Sequence, residues 1–261
     1  MSKKVDNDVH VFWNNRAQLG QCSGSNDVIA KELEIRAIAK YVSDGMRVLE
    51  IGCGSGHTAM ELARRYDIEI SAFDFAENMI DAAKSVLAGQ QLKGSVTFRV
   101  GDVRHLSDIS QKFDLIYTER VLINLPDWPT QKQSITNIIE LLSDGGLYVM
   151  CENSQDGLDK INVLRETVGL PKIEPPWHNH YFRDKDIETI TLPRAMLEGV
   201  NCYSSTYYFL SRVVNAYLSA QEGKEPRYDS PVNLLALKLP SIGDLSQGKI
   251  WLWRKKGKDH V

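Results

Sequence analysis

The chain has 261 residues, 43% of them hydrophobic and 25% charged, which is the balance of an ordinary globular protein. Its net charge of −3 gives no electrostatic reason to expect nucleic acid or an anionic membrane as partner. No stretch reaches the roughly 18 consecutive apolar residues of a membrane-spanning helix. The 4 cysteines are scattered without paired spacing, which favours reduced thiols in a cytoplasmic protein.

Strand and helix patterns alternate from about Asn26 to Glu152. A helix begins near Asn26 or Asp27, and a helix with apolar residues on one face follows the first strand directly. Later helices centre on Met79 and begin at Asp127-Trp128-Pro129. The alternation predicts an α/β fold, with a doubly wound parallel sheet covered by helices on both faces. The predicted strands are Arg47–Ile51, Ile68–Phe73, Val96–Val100, Phe113–Tyr117 and Leu147–Cys151.

Beyond Glu152 the alternation stops. Residues 153–241 contain a helical pattern that ends at Gly169, a proline-rich aromatic stretch, and a second helical stripe around Val213. A final strand is predicted at Ile250–Trp253. We expect a single domain over residues 1–261.

The first strand ends in a glycine-rich turn with the pattern E-x-G-x-G-x-G, from Glu50 to Gly56. Such a turn lets a nucleotide-like ligand approach bare backbone, and a side chain at Gly52 or Gly54 would fill the space the ligand needs. Asp74 follows the second strand, where a carboxylate can accept hydrogen bonds from ribose hydroxyls; a helix-capping aspartate is the alternative. The glycine spacing differs from G-x-G-x-x-G and disfavours a nicotinamide-dependent dehydrogenase.

These motifs resemble the class I S-adenosylmethionine (SAM) dependent methyltransferases, strongly over about Arg47 to Cys151. The resemblance implies a mostly parallel seven-stranded sheet with an antiparallel final strand, and SAM as cofactor. It implies that residues 1–25 form a cap over SAM and that residues 153–241 are an acceptor-side elaboration within the domain. The expected cofactor-binding residues are Arg16, Glu50, Gly52, Cys53, Gly54, Asp74, Phe75, Met79, Asp102, Val103 and Glu119.

In that resemblance each residue has a role. Arg16 would hold the SAM carboxylate with two N–H groups, although Arg16 belongs equally well to an ordinary amphipathic helix. Phe75 would pack on the adenine, and Met79 would line the same pocket. Asp102 would accept the adenine amino group, and the backbone N–H of Val103 would meet a ring nitrogen.

The segment Phe113–Pro126 resembles the motif beside the sulfonium and the acceptor. It carries Glu119-Arg120 and Ile123-Asn124 where many members have small, amide or histidine residues, and it lacks the N-P-P-Y tetrad of many amino-nitrogen methyltransferases. This departure weakens an adenine, cytosine or glutamine acceptor. Glu119 is a candidate catalytic residue and Arg120 a candidate substrate residue; a buried structural ion pair between the two is the alternative.

The sequence signals for residues that contact the methyl acceptor are less specific than those for the cofactor. His178 and His180 are candidate general bases because the unperturbed pKa of histidine, about 6.5, lies near neutrality; a metal ligand or a structural loop are the alternatives. We expect their loop to face Glu119 and Arg120. No residue cluster has metal-ligand spacing, so we expect catalysis without a metal. The remaining candidate substrate residues are Asn124, Trp177, Tyr181, Tyr207 and Arg212.

Residues 175–181 and 204–212 are similar to methyltransferases encoded with bacterial surface-polysaccharide synthesis. This resemblance implies an oxygen of a sugar or of a glycan-linked phosphate as the methyl acceptor. Two alternatives stay open: a methyltransferase for small molecules or natural products, and a non-catalytic SAM-binding partner subunit. The sequence does not specify the oligomeric state.

Overall fold

The computed structural model describes residues 2–257, without the side chains of residues 2–6, 21 and 22. The ends of the expected 1–261 domain and the Cys22 side chain therefore lie outside the described residues. One seven-stranded sheet has the order β3-β2-β1-β4-β5-β7-β6. The strands are β1 (Arg47–Ile51), β2 (Glu69–Asp74), β3 (Ser95–Val100), β4 (Phe113–Glu119), β5 (Leu142–Asn153), β6 (Ala195–Asn201) and β7 (Gly248–Lys255).

The first five strands are parallel, and β7 pairs antiparallel with both β5 and β6. The predicted doubly wound sheet with an antiparallel final strand is confirmed. The helices are α1 (Ser2–Arg16), α2 (Val28–Ala39), α3 (His57–Arg65), α4 (Glu77–Leu87), α5 (Trp128–Glu140), α6 (Gln155–Thr167), α7 (Asp184–Glu188), α8 (Ser205–Tyr208), α9 (Ala216–Gln221) and α10 (Pro231–Leu235). A π-helical stretch, Phe209–Asn215, joins α8 to α9.

β1 is buried on both faces of the sheet, and its residues from Val48 to Ile51 are all buried, the charged Glu50 included. Successive side chains of a strand point to opposite faces. Val48 therefore packs on one face in a core cluster with Ile35 of α2 and Leu62 of α3. Leu49 packs on the other face in a cluster with Ile138 of α5. Burying both faces is the arrangement expected of parallel strands linked by helices.

Two elements differ most from the sequence prediction. β5 begins at Leu142 rather than Leu147, because Leu142 pairs with Phe113 before an irregularity in the register. β6 had no predicted counterpart among the individual strands. It lies at the edge of the sheet, mostly exposed, with a register shift between Leu197 and Gly199, so its hydrophobic alternation is weak. β6 comes from within residues 153–241.

The parallel strands bring three chemically important ends together. β1, β2 and β4 are neighbours in the sheet and end at Ile51, Asp74 and Glu119. Ligands of open parallel sheets bind at this carboxyl edge. Within residues 2–257, no helix has the length and apolar character needed to cross a bilayer.

Candidate active site

The glycine turn after β1 is anchored on β2 and opens toward a cavity. The backbone N–H groups of Gly52 and Cys53 donate to the Phe73 carbonyl, at 2.8 and 3.0 Å. Gly52, Gly54 and Gly56 all have positive φ, at 73°, 52° and 78°, a region that favours glycine. A Cβ on Gly54 would meet nothing within 4 Å, whereas one on Gly52 would lie 2.3 Å from a Val121 methyl carbon.

The two glycines thus act differently from the expectation that both keep ligand space free. Gly54 borders open space, and its role toward a ligand stays a prediction. Gly52 is needed because the turn after β4 packs directly against it through Val121. The missing side chain of Gly52 therefore allows the turns after β1 and β4 to pack closely. Of these two glycines, only Gly54 leaves its Cβ position free for a ligand.

Asp74 is 8% exposed, and hydrogen bonds from two backbone N–H groups hold its carboxylate in place. Its two carboxylate oxygens accept hydrogen bonds from the N–H groups of Gly54 and Ala76, both at 2.9 Å. Burial raises the pKa of Asp74, and these N–H groups oppose the shift. Each oxygen keeps a second lone pair, so the carboxylate can also accept from a ligand hydroxyl.

Asp102, after β3, is paired with Arg104. The Arg104 side chain donates to it from Nε at 3.0 Å and from Nη2 at 2.7 Å. Burial raises the pKa of Asp102, but the hydrogen bonds and charge of Arg104 outweigh it and the net shift is downward. A ligand amino group at Asp102 would therefore share the carboxylate with a guanidinium.

Glu50 brings a buried carboxyl group to the cavity wall. It is 2% exposed, and its Oε2 atom has no hydrogen-bond partner among the described residues. Burial raises its pKa to about 8, and the Glu119 charge adds to the shift. Glu50 is thus mostly protonated at neutral pH and would ionise beside a cationic ligand group.

We expect Glu50→Gln to stabilise the folded protein more at pH 7 than at pH 5. The folded-state pKa of about 8 lies above the reference value of 4.5, so the group lowers stability progressively as the pH rises from about 4.5 to 8. The gain at pH 7 should exceed that at pH 5 by roughly 2–3 kcal/mol. Urea unfolding of both proteins at the two pH values measures it. An equal gain at both values would contradict the buried, protonated state of Glu50.

A charged cluster follows β4 at the next strand end. Glu119 accepts hydrogen bonds from Lys31 of α2, from Thr58 Oγ1 at 2.8 Å, and from Arg120 Nη2 at 3.2 Å. Arg120 Nε lies 3.1 Å from Oε1 of the buried Glu34. We call Lys31, Glu34, Glu119 and Arg120 the charged cluster.

The charged cluster splits the pKa values of its two carboxyl groups. For Glu119, the charges of Lys31 and Arg120 overcome burial, and the pKa is lowered. For Glu34, burial dominates and the pKa is raised. A lowered pKa keeps Glu119 ionised and makes it a weak base, which suits charge stabilisation better than proton removal. Arg120 has a φ of 57°, the single positive value among the described non-glycine residues.

A buried glutamate organises the turn after β4. Glu152 is fully buried and accepts backbone N–H bonds from Val121, Leu122 and Ile123, at 3.1, 3.0 and 3.4 Å. The fixed turn places Asn124 on the cavity. The Asn124 Oδ1 atom accepts from Trp13 Nε1 and from Asn179 Nδ2, both at 3.2 Å, so it ties α1 to the 177–182 loop.

These elements enclose one cavity of about 160 Å³. All the expected cofactor-binding residues except Arg16 line it, together with Arg120 and Asn124. Arg16 donates instead to the Ser23 carbonyl and lies 5.5 Å from the centre of the Phe12 ring. The expected residues that line the cavity are Glu50, Gly52, Cys53, Gly54, Asp74, Phe75, Met79, Asp102, Val103, Glu119, Arg120 and Asn124.

The two candidate histidines do not line the cavity. His178 is 8% exposed and packs against Phe12, with ring centres 4.5 Å apart; burial and the Arg16 charge lower its pKa. The backbone N–H of His180 donates to the Ile123 carbonyl at 2.6 Å. Their loop thus packs onto the turn after β4 instead of facing it across open space. Trp177, 61% exposed, also lies outside the cavity lining.

Three further candidate substrate residues contact protein groups. Tyr207 and Arg212 both hold Asp27, the residue that caps the N-terminus of α2; the Arg212 Nη2 to Asp27 Oδ2 distance is 2.8 Å. Tyr181 accepts a hydrogen bond from Gln247 Nε2 at 3.1 Å. None of the three lines the cavity. Tyr207 and Arg212 instead fix the helix that carries Lys31.

Sequence reasoning missed several residues of the site. Lys31 and His57 line the cavity, Glu34 lies 3.1 Å from Arg120 Nε, and Glu152 holds the turn after β4. Trp13 and the segment 23–25 also line the cavity and belong to residues 1–25, the expected cap. The available signal was weak, because Lys31 and Glu34 are only two of the four charged residues of α2. Their partner Glu119 lies 88 residues beyond Lys31, so the pattern alone did not reveal the contact.

Comparison with known proteins identifies a family to which half of the chain matches. The family profile described as "Methyltransferase domain" matches residues 42–172, which is half of the chain. The demethylmenaquinone methyltransferase of Lactobacillus johnsonii is 26% identical over 268 residues, covering 98% of this chain and 96% of that protein. The ubiquinone biosynthesis O-methyltransferase of Coxiella burnetii is 30% identical over 135 residues, 52% of this chain and 53% of that protein.

The solved structures agree at the level of the fold. Phosphoethanolamine N-methyltransferase 1 of Haemonchus contortus, solved with phosphoethanolamine and S-adenosylhomocysteine, superposes with a TM-score of 0.64 at 17% identity. The match covers 100% of this chain and 51% of that one. The chain spans from about half to nearly all of the length of the curated relatives it matches.

Proposed function

Because the chain belongs to the methyltransferase domain family, we propose that it transfers a methyl group from S-adenosylmethionine to an oxygen atom of its acceptor. The observation that carries the proposal is the cavity at the carboxyl edge of β1, β2 and β4. Its lining combines the glycine turn after β1 with the carboxylate of Asp74, which can accept hydrogen bonds from ribose hydroxyls. The charged cluster after β4 completes it.

The residues present fit SAM. Gly54 leaves open space above the turn, and Asp74 can accept hydroxyl groups. Glu50 offers a buried oxygen without a partner, which suits a cationic group of the ligand. Half-buried Phe75 and buried Met79 provide an apolar wall, as an adenine ring requires.

When bound, SAM supplies an electrophilic methyl group that an acceptor oxygen takes by in-line displacement. The protein's own contribution is mainly alignment and exclusion of water. Asp74 and the glycine turn would hold the cofactor, and the ionised Glu119, paired with Lys31 and Arg120, would contribute to the electrostatics of the cavity wall. Trp13 of α1 lines the cavity and would limit the access of water.

We propose a small-molecule acceptor, because the similar proteins include a demethylmenaquinone methyltransferase and a ubiquinone biosynthesis O-methyltransferase. An oxygen of a sugar or of a glycan-linked phosphate, as in surface-polysaccharide synthesis, is the second candidate; Lys31 and Arg120 at the cavity favour its phosphate form. A non-catalytic SAM-binding subunit is the third alternative, and turnover distinguishes it.

The test is methyl transfer from radiolabelled SAM to a panel of phenolic, carboxylate, sugar and sugar-phosphate acceptors. We expect labelled O-methyl product with at least one class. Binding of SAM without transfer to any acceptor would support the non-catalytic alternative instead.

We also expect EDTA to leave turnover unchanged. Among the described residues, no group of three or more His, Cys, Asp or Glu side chains is arranged to hold a metal ion. Turnover measured before and after EDTA, with magnesium added back, tests this expectation. Activity that EDTA removes and magnesium restores would contradict it.

A further inference from the structure

Asn124 uses every hydrogen-bonding position of its side-chain amide on other protein groups. Its Nδ2 atom donates to the carbonyls of Arg120 and Val121, at 2.9 and 3.2 Å. Its Oδ1 atom accepts from Trp13 Nε1 and from Asn179 Nδ2, both at 3.2 Å. An amide offers two N–H donors and two acceptor lone pairs, so none is left over for a ligand. The two carbonyls on one side and the two donors on the other fix the orientation of the amide.

Trp13, the first donor to Asn124, belongs to α1, which forms part of the cavity wall. Val9 and Trp13 both line the cavity. Elsewhere α1 is bonded to the start of α4: the Asn78 N–H donates to Asn14 Oδ1 at 3.0 Å, and Asn78 Nδ2 donates to the Asn14 carbonyl at 3.2 Å. A ligand that fills the cavity therefore contacts α1 directly.

Asn179, the second donor, belongs to the 177–182 loop, and no residue of this loop lines the cavity. The loop touches α1 through the ring of His178, whose centre lies 4.5 Å from that of Phe12 and 5.7 Å from that of Trp13. Asn124 adds a polar connection, because one oxygen atom accepts from both segments. A ligand in the cavity therefore affects the loop through α1 and the turn after β4.

We infer that Asn124 is a positioning residue that couples the cofactor cavity to the 177–182 loop. A ligand packed against Trp13 restricts α1, and Asn124, bonded to both Trp13 and Asn179, restricts the loop in turn. The inference rests on the proposed function, which identifies the ligand as SAM or its demethylated product. The loop lies within residues 153–241, where we expect the acceptor to bind, so the coupling makes cofactor and acceptor favour each other's binding.

The experiment is hydrogen exchange of the backbone amides of residues 177–182, with and without S-adenosylhomocysteine. In this loop the N–H groups of His180 and Phe182 bond to the carbonyls of Ile123 and Asn153, so their exchange reports opening of the loop. We expect the ligand to slow this exchange about ten- to hundredfold, because a ligand at about 100 times its Kd favours the state that binds it by about a hundredfold.

Three variants interrupt the connection at different places. Trp13→Phe keeps an aromatic ring and removes the N–H donor of α1, Asn179→Ala removes the donor of the loop, and Asn124→Ala removes the shared acceptor. Each should lose most of the slowing in residues 177–182 while S-adenosylhomocysteine still binds. An unfolding curve recorded for each variant shows whether it is folded; if Asn124→Ala does not fold, the other two variants decide.

The affinity for S-adenosylhomocysteine gives a second readout. Because coupling between two sites is reciprocal, Asn179→Ala should weaken the ligand about three- to tenfold, although Asn179 does not line the cavity. Asn137→Ala is the matched control, because Asn137 lies on α5, accepts from Gln133 at 2.9 Å and does not line the cavity. It should match wild type in both exchange and affinity.

The outcomes separate this inference from the proposed function. If S-adenosylhomocysteine fails to bind wild-type protein, the proposed function fails. If the ligand binds but exchange in residues 177–182 does not slow, the inference alone is overturned. Full slowing in the folded variants, or an equal loss of slowing in Asn137→Ala, would also overturn it, because neither result is compatible with coupling through Asn124.

Discussion

Gly52→Ala is expected to lower the free energy of unfolding by about 2–5 kcal/mol, by combining backbone strain with overpacking. The φ of Gly52 is 73°, a region that alanine adopts only at a cost. The new Cβ would lie 2.3 Å from one Val121 methyl carbon and 2.9 Å from the other. Rotation of the Val121 side chain does not remove the contact, because the Val121 Cβ would itself lie 3.1 Å away and its backbone N–H is held by Glu152. Urea unfolding followed by circular dichroism measures the loss.

Gly54→Ala is the matched control for this prediction. Its φ is also positive, at 52°, but its Cβ would point into open space. We expect a smaller stability loss, about 1–2 kcal/mol from the backbone alone, together with weaker binding of S-adenosylhomocysteine. Equal stability losses in the two variants would mean that the contact between Gly52 and Val121 does not constrain the site.

Asp74→Ala is expected to weaken S-adenosylhomocysteine binding about ten- to hundredfold. The reason is the loss of charge-assisted hydrogen bonds to the ribose, worth roughly 1.5–3 kcal/mol. Isothermal titration calorimetry measures the change, with wild-type affinity expected in the micromolar range, about −8 kcal/mol. The variant also loses the acceptor for the Gly54 and Ala76 N–H groups, so its unfolding curve must be recorded beside the titration.

Asp108→Ala is the control for Asp74→Ala, since Asp108 is an exposed loop aspartate that bonds Ser107. It should bind S-adenosylhomocysteine as wild type does. A folded Asp74→Ala protein with wild-type affinity would remove Asp74 from the cofactor site.

The fold was predictable where local sequence and tertiary packing agree. β1 was placed at Arg47–Ile51 because a run buried on both faces is bounded by Gly45 and by the glycine turn. The start of α5 followed from Asp127-Trp128-Pro129, because proline suits the first turn of a helix; in the structure the Asp127 side chain also accepts the Thr130 N–H at 2.9 Å. β6 could not be found in the same way, because an exposed edge strand with a bulge has no regular alternation.

The candidate site likewise contains residues that local motifs predict and residues that only tertiary contacts reveal. The expected cofactor residues that line the cavity belong to motifs at successive strand ends. The topology of a parallel sheet brings these strand ends together, so local motifs were enough to predict them. Lys31 and Glu34 reach Glu119 and Arg120 from a distant helix, so only the folded chain reveals the charged cluster. The His178 loop was expected to face Glu119 and Arg120, but it packs on the turn after β4 through the backbone of His180. The His178 ring packs on Phe12, a partner that sequence spacing does not indicate.

The most direct test of the central claim is a crystal structure of the protein with bound S-adenosylhomocysteine. We predict that the ligand occupies the cavity above Gly54, with its ribose hydroxyls within hydrogen-bond distance of Asp74 and its amino-acid end beside Glu50 and the glycine turn. Electron density for the ligand outside this cavity, or a ribose with no contact to Asp74, would contradict the account.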